Sequence, residues 1–203
     1  MNIEYLPLEV EKFLAGIKTA GDIFTEVRKA QGRFHVSDLI RAVEFRSGMR
    51  DGNIPDDRDE LQTRLVWEMG LSWERVLGAA LFAQKGMSRI PGDGTIELDG
   101  LIATPDAVDY ATGEPHECKA TWGSSKYGID LEKRWNWKVQ LASYCRMLSS
   151  NSGVFNVVYL CGDYTRPFRP QVAMARVTYT DDELKKNWDM LLSERDKQND
   201  TSS

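Results

Sequence analysis

The chain has 203 residues, 41% of them apolar and 28% charged, and a formal net charge of −5. That length supports one domain with a real core, and no run approaches the roughly 18 consecutive apolar residues of a membrane span. The acidic balance gives no global electrostatic case for a nucleic-acid partner.

The opening MNIEYLPLEVEKF carries acids early and has no apolar stretch of secretory type, so the expected location is the cytoplasm. From residue 8 to 31, Leu8, Val10, Phe13, Leu14, Ile17 and Ile23 recur at mostly helical spacing. HVSDLIRAVEFRSG, 35 to 48, predicts a second helix, capped by Ser37 or Asp38 and stopped by Gly48. The polar stretch MRDGNIPDDRDE follows as a loop, and residues 61 to 84 predict a helical segment breaking near Gly70.

After GMSRIPGDGT the texture changes. TIELDGLIAT and DAVDY read as strands, ATGEP as a turn and HECKATW as a third strand. GSSKYGIDLEK is glycine-bearing and is expected to be mobile. Residues 134 to 150 predict a helix with an apolar stripe of Trp137, Leu141, Tyr144, Cys145 and Leu148. GVFNVVYLCGDY and PQVAMARVTYT add two strands rich in β-branched residues. Thr180 with Glu183 forms a capping box for a last helix, and a frayed tail is expected over 196–203. The order predicts one α/β domain over 1–203: a helical N-terminal part over 1–60 and a core over 61–195 with a small mixed central β-sheet flanked by helices.

Cys118, Cys145 and Cys161 lie far apart with no CxxC pair, and His35 and His116 are scattered. Any metal would therefore be held by oxygen. Between Cys118 and Arg146, six bases (Lys119, Lys126, Lys133, Arg134, Lys138 and Arg146) face two acids, Asp130 and Glu132. That local positive charge fits either a phosphate-facing surface or a plain solvated helix face.

TPDAVDYATGEPHECKATW, 104 to 122, concentrates the chemistry. Side chains alternate along a strand, so Glu117 and Lys119 share one face and Cys118 takes the other. Asp106 can come level with Glu117 across the hairpin. Two carboxylates, with the Cys118 backbone carbonyl at the strand edge, form a hard oxygen site that suits Mg²⁺ or Mn²⁺. Such an ion polarises a phosphodiester oxygen and lowers the pKa of a bound water. Lys119 beside it would orient that water or stabilise developing negative charge.

PD at 105–106, ten intervening residues and then ECK at 117–119 resemble the signature of the PD-(D/E)XK nuclease superfamily. The surroundings are similar to its RecB-like branch, which includes phage exonucleases and CRISPR-associated nucleases. MGLSWERVLGAAL resembles the helix that brings an extra acid in this branch, which makes Glu74 an auxiliary metal or water ligand. QLASY resembles its QxxxY motif, which directs Gln140 and Tyr144 at the site or the DNA. The resemblance implies a restriction-endonuclease-like core and a Mg²⁺-dependent deoxyribonuclease, more an exonuclease than an endonuclease. Its setting would be phage or bacterial recombination or repair, with DNA as partner, a further recombination or repair protein beside it, and a possible homo-oligomer. The four cysteines that hold an iron–sulfur cluster in some members are missing from the pattern, so no such cluster is expected.

Each residue also has a plainer reading. Asp106 fits a turn after Pro105, and Asp109 and Asp99 compete for its place. Glu117 and Lys119 fit a surface ion pair, Glu74 fits a partner for Arg64 or Arg75, and Tyr144 fits core packing. Lys126, Lys133 and Lys138 would track phosphates, while Trp122, Trp135 or Tyr127 would stack on bases. His116 reads as an outward strand residue. A non-catalytic nucleic-acid-binding or assembly subunit on the same fold is the alternative, as is a metalloenzyme acting on a small phosphorylated molecule.

Overall fold

The computed structural model describes residues 34–49, 68–70, 72–73, 87–88, 94–131 and 133–200. The helix expected over 8–31, most of that over 61–84 together with Glu74, and most of the loop between 49 and 60 lie outside the described residues.

A short strand β1 (Phe34–His35) leads into helix α1 (Val36–Arg46). The cap expected at Ser37 or Asp38 is instead supplied by His35, whose ring accepts from the Ser37 N–H. Gly48 does end this element, at φ +66°. Strand β2 (Met87–Ser88) precedes β3 (Ile96–Leu98) and β4 (Leu101–Ala103). TIELDGLIAT is therefore two strands rather than one. Asp99 and Gly100 both take positive φ, 50° and 76°, the two-residue hairpin geometry that an Asp-Gly pair favours.

Strand β5 (Ala107–Asp109) pairs antiparallel with β6 (Glu114–Thr121). Pro115, expected in a turn, lies inside β6. Its missing N–H is tolerated because registered pairing with the next strand begins only at His116. A 3₁₀ turn (Ser125–Tyr127) follows, then α2 (Trp135–Met147), β7 (Ser152–Tyr159), β8 (Gln171–Thr178) and α3 (Asp181–Asp200). The capping box at the start of α3 forms as expected: Glu183 N–H donates to Thr180 Oγ1 at 3.2 Å and Thr180 N–H to Glu183 Oε2 at 2.8 Å. The helix continues to Asp200, through positions where fraying is expected.

Among the described residues two mixed sheets result, one ordered β1-β4-β3 and the other β2-β5-β6-β7-β8. β6 and β7 run parallel, so their connection must cross over, and α2 makes that crossing. ECKATW is thus an inner strand, as its sequence suggests. Helix α2 lies close on the sheet: a Cβ built at Gly153 would stand 2.8 Å from Leu141 Cδ1. Phe155, Val157 and Tyr159 of β7 join Leu141, Tyr144 and Cys145 of α2, Leu39 of α1 and Trp188 and Leu191 of α3 in one core. Among the described residues no helix is long and apolar enough to cross a membrane.

Candidate active site

The β6–β7 register sets Glu117 beside Phe155 and Lys119 beside Val157, both core residues under α2. Glu117 and Lys119 therefore face the helix, while Cys118 pairs with Asn156 on the opposite face. This is the parity expected from strand alternation. The β5–β6 register pairs Ala107 with His116, and continuing it by one residue brings Asp106 level with Glu117. Asp106 Oδ2 accepts the Cys118 backbone N–H at 2.7 Å, which ties this carboxylate to the middle of β6 just beyond the end of β5.

Four side chains then form a directed chain. Lys119 Nζ donates to Glu117 Oε1 and, at 3.0 Å, to Gln140 Oε1. Gln140 Nε2 donates to the Tyr144 hydroxyl at 2.6 Å. An ammonium can only donate, so the Gln140 amide must turn its oxygen to Lys119 and its NH₂ to Tyr144. Gln140 and Tyr144 stand one helical turn apart, which puts both on the α2 face that looks at β6. Glu117 is 3% exposed and the Lys119 side chain 14%. In so dry a setting the ammonium strongly stabilises the carboxylate.

The other candidates sort by position. Tyr144 is 2% exposed, which leaves it no surface for DNA and makes it a holder of Gln140. Lys138 is two residues from Gln140, about 200° round the helix, and lines the groove between α2 and α3 with Trp135 and Glu183. Neither Lys138 nor Trp135 therefore faces the site. Lys133 pairs with Asp130 at 3.0 Å in solvent, and Lys126 lies on the 3₁₀ turn over the Tyr127 ring. Asp99 is taken up by Trp188, whose Nε1 donates to it at 2.8 Å. Asp109 accepts from the Ala111 N–H in the β5–β6 turn. Among the described residues no group of three or more His, Cys, Asp or Glu is placed to hold a metal ion; the carboxylates brought level are two, Asp106 and Glu117.

Arg134, another of the six bases between Cys118 and Arg146, does reach this face. It donates to Thr121 Oγ1 at 3.3 Å, on the same face of β6 as Lys119 and two residues further on. His116 is a correction: it is buried, hydrogen-bonded to Asn156 at 3.2 Å, and burial lowers its pKa. Glu114 was not singled out by any motif, yet it is buried and holds Arg176 with both oxygens, at 2.7 and 3.0 Å. Ser152 adds a third bond at 2.6 Å.

Burial pushes the Glu114 carboxyl up, but the bonds from Ser152 and Arg176, the Arg176 charge and the Thr112 bond together hold it below its ordinary value of 4.5. With the folded value depressed, this stabilisation is complete above pH 4.5 and is lost as the pH falls through the folded value. Arg176→Met should therefore destabilise the fold at neutral pH, with the gap to wild type closing in acid. Urea melts at a series of pH values measure it. A gap that is constant with pH would contradict the assignment.

No protein-family model matches the sequence, and no curated protein is a sequence match. Among solved structures, the alkaline exonuclease of Laribacter hongkongensis matches with a TM-score of 0.51 at 14% identity, over 82% of this chain and 87% of that one. The same exonuclease in complex with dAMP matches with a TM-score of 0.50 at 12% identity, over 82% and 87%. A phage-related exonuclease from Haemophilus somnus 129PT matches with a TM-score of 0.46 at 11% identity, over 82% and 83%. The mixed α/β fold of this chain is similar to that of an exonuclease.

Proposed function

We propose that this chain is a divalent-metal-dependent nuclease that hydrolyses phosphodiester bonds in DNA, acting as an exonuclease of the RecB-like PD-(D/E)XK type in phage or bacterial recombination or repair. The observation that carries this reading is the Glu117–Lys119–Gln140 chain lying beside Asp106, which is tied to the next residue of the same strand. A surface ion pair would not need a glutamine propped in turn by a buried tyrosine. The likeness of the fold to an exonuclease supports the same reading.

The donor set fits a hard cation. Asp106 and Glu117 present carboxylates at one level, and the Cys118 N–H points toward Asp106. A strand residue's N–H and C=O face the same side, so the Cys118 carbonyl opens beyond the end of β5 as well. Asp106, Glu117 and that carbonyl would hold Mg²⁺ or Mn²⁺, with Glu74 as an auxiliary ligand. The ion would supply Lewis-acid polarisation of the phosphodiester and a more acidic water.

The chain's own groups do the rest. Lys119 donates to the attacking water's oxygen and neutralises charge building on the phosphate. Gln140 fixes the ammonium's position, and Tyr144 fixes Gln140. Lys119, donating to Glu117 and Gln140, acts by donation and charge.

Labelled linear DNA tests the assignment. The full chain should release nucleotides from linear DNA with Mg²⁺, lose that activity in excess EDTA, and spare a covalently closed circle. DNA left intact in every form, with Mg²⁺ or Mn²⁺ present, would contradict it.

A further inference from the structure

Beyond the catalytic chain, β6 and β7 each run out into a loop at the same end of the sheet, residues 122–134 and 160–170. These loops are stapled together. Ser125 N–H donates to Gly162 O at 2.8 Å, Ser125 Oγ to Gln171 Oε1 at 2.7 Å, and the Tyr164 hydroxyl to the Trp122 carbonyl. Gly162 is required there: its φ is +57°, and a Cβ would stand 2.3 Å from the Arg169 carbonyl oxygen.

What the staples hold up is aromatic and wet. Trp122, Tyr127, Tyr164 and Phe168 are between 45% and 78% exposed. Large rings left this open in one fixed double loop ask for a partner. Tyr164 and Phe168 meet edge to face at 6.3 Å. Cations accompany the rings: Lys126 lies 5.7 Å from the Tyr127 centroid and the Arg166 guanidinium 5.7 Å from that of Phe168.

The charge chooses the partner. In a chain of net charge −5, residues 160–170 carry Arg166 and Arg169 against Asp163, and residues 122–134 carry Lys126, Lys133 and Arg134 against Asp130 and Glu132, so the double loop is net positive. Exposed rings flanked by guanidinium and ammonium groups suit unpaired bases and their phosphates, since every base offers a π-face. Position agrees. Trp122 is three residues past Lys119, about 10 Å along the chain at about 3.3 Å per residue. That is roughly three stacked nucleotide steps of about 3.4 Å each. The surface also lies beyond the carboxyl ends of two parallel strands, where α/β sheets commonly bind ligands.

We propose that this stapled double loop is a stacking platform for a single-stranded stretch of the nucleic-acid substrate, with bases on Trp122, Tyr127, Tyr164 and Phe168 and phosphates on Lys126 and Arg166. The platform rests on the nuclease reading for its substrate, but its test needs no hydrolysis.

The test is fluorescence anisotropy of a labelled 20-nucleotide oligo-dT and of a labelled 20-base-pair blunt duplex, with the full-length chain in EDTA at low salt. Tyr127→Ala/Phe168→Ala removes two exposed rings and should leave the circular dichroism spectrum unchanged. Loss of a stacked base predicts a Kd for oligo-dT raised by at least about 5-fold. The duplex, whose bases are already stacked, should change by less than about 2-fold, and Tyr127→Trp/Phe168→Tyr should retain oligo-dT binding. Wild type that ignores oligo-dT, a double-alanine variant that binds it unchanged, or equal losses on both probes would each overturn the platform. Metal-dependent hydrolysis by wild type is scored separately. Degradation with unaltered oligo-dT binding by the variant sinks the platform and leaves the nuclease. Selective loss of oligo-dT binding without any hydrolysis upholds the platform and sinks the nuclease.

Discussion

Lys119→Met should reduce DNA hydrolysis by about 10³-fold or more while the protein still folds. Donation and charge stabilisation at the reacting phosphate are each worth about 10²- to 10⁴-fold, and Lys119 is the group that the site immobilises. Glu117 and Gln140 grip its ammonium from β6 and α2, and Tyr144 grips Gln140 from behind. Methionine keeps the stem's packing and removes the charge. Removal of the charge leaves Glu117 buried without its ammonium, so a stability loss of about 3 kcal/mol should accompany the variant. Activity is therefore compared at a temperature where near-ultraviolet circular dichroism shows both proteins folded. Arginine should not rescue it, because a planar fork cannot occupy the place of a compact ammonium held at two points. Hydrolysis within about 10-fold of wild type would show that Lys119 is only half of a structural ion pair.

Asp106→Asn should be nearly as damaging to activity and almost harmless to the fold. The asparagine side-chain oxygen still accepts the Cys118 N–H that Asp106 Oδ2 accepts now, so the β5–β6 junction keeps its tie. The negative charge alone disappears. A loss of about 10²- to 10⁴-fold in hydrolysis is expected, together with a higher Mn²⁺ concentration for half-maximal rate. Glu117→Gln should act in the same direction but also loosen Lys119, and so lower both stability and rate. If Asp106→Asn kept wild-type activity, Asp106 would be a backbone cap and nothing more.

Much of the candidate site's geometry follows from local periodicity, which is why the sequence reveals it. Period-two alternation places Glu117 and Lys119 together, and one helical turn places Gln140 and Tyr144 together. The same arithmetic shows that Lys138 must leave the Gln140 face. What local patterning could not show depends on distant pairing. Glu114 meets Arg176 only because β7 lies between β6 and β8 in register. Trp122, Tyr127, Tyr164 and Phe168 come together only because two loops distant in sequence are stapled at Ser125 and Gly162. The Asp-Gly turn at 99–100 is local and legible; reading through it merged two strands. His116 looked outward because its neighbour Glu117 claimed the interior, whereas β6 is covered on both faces and buries both.

The proposed chemistry requires Asp106 and Glu117 to share a divalent cation, and a crystal of the full chain grown with Mn²⁺ tests that most directly. Anomalous difference density between the two carboxylates, lost in Asp106→Asn, is the expected result. Well-ordered carboxylates with no density between them at saturating Mn²⁺ would contradict it.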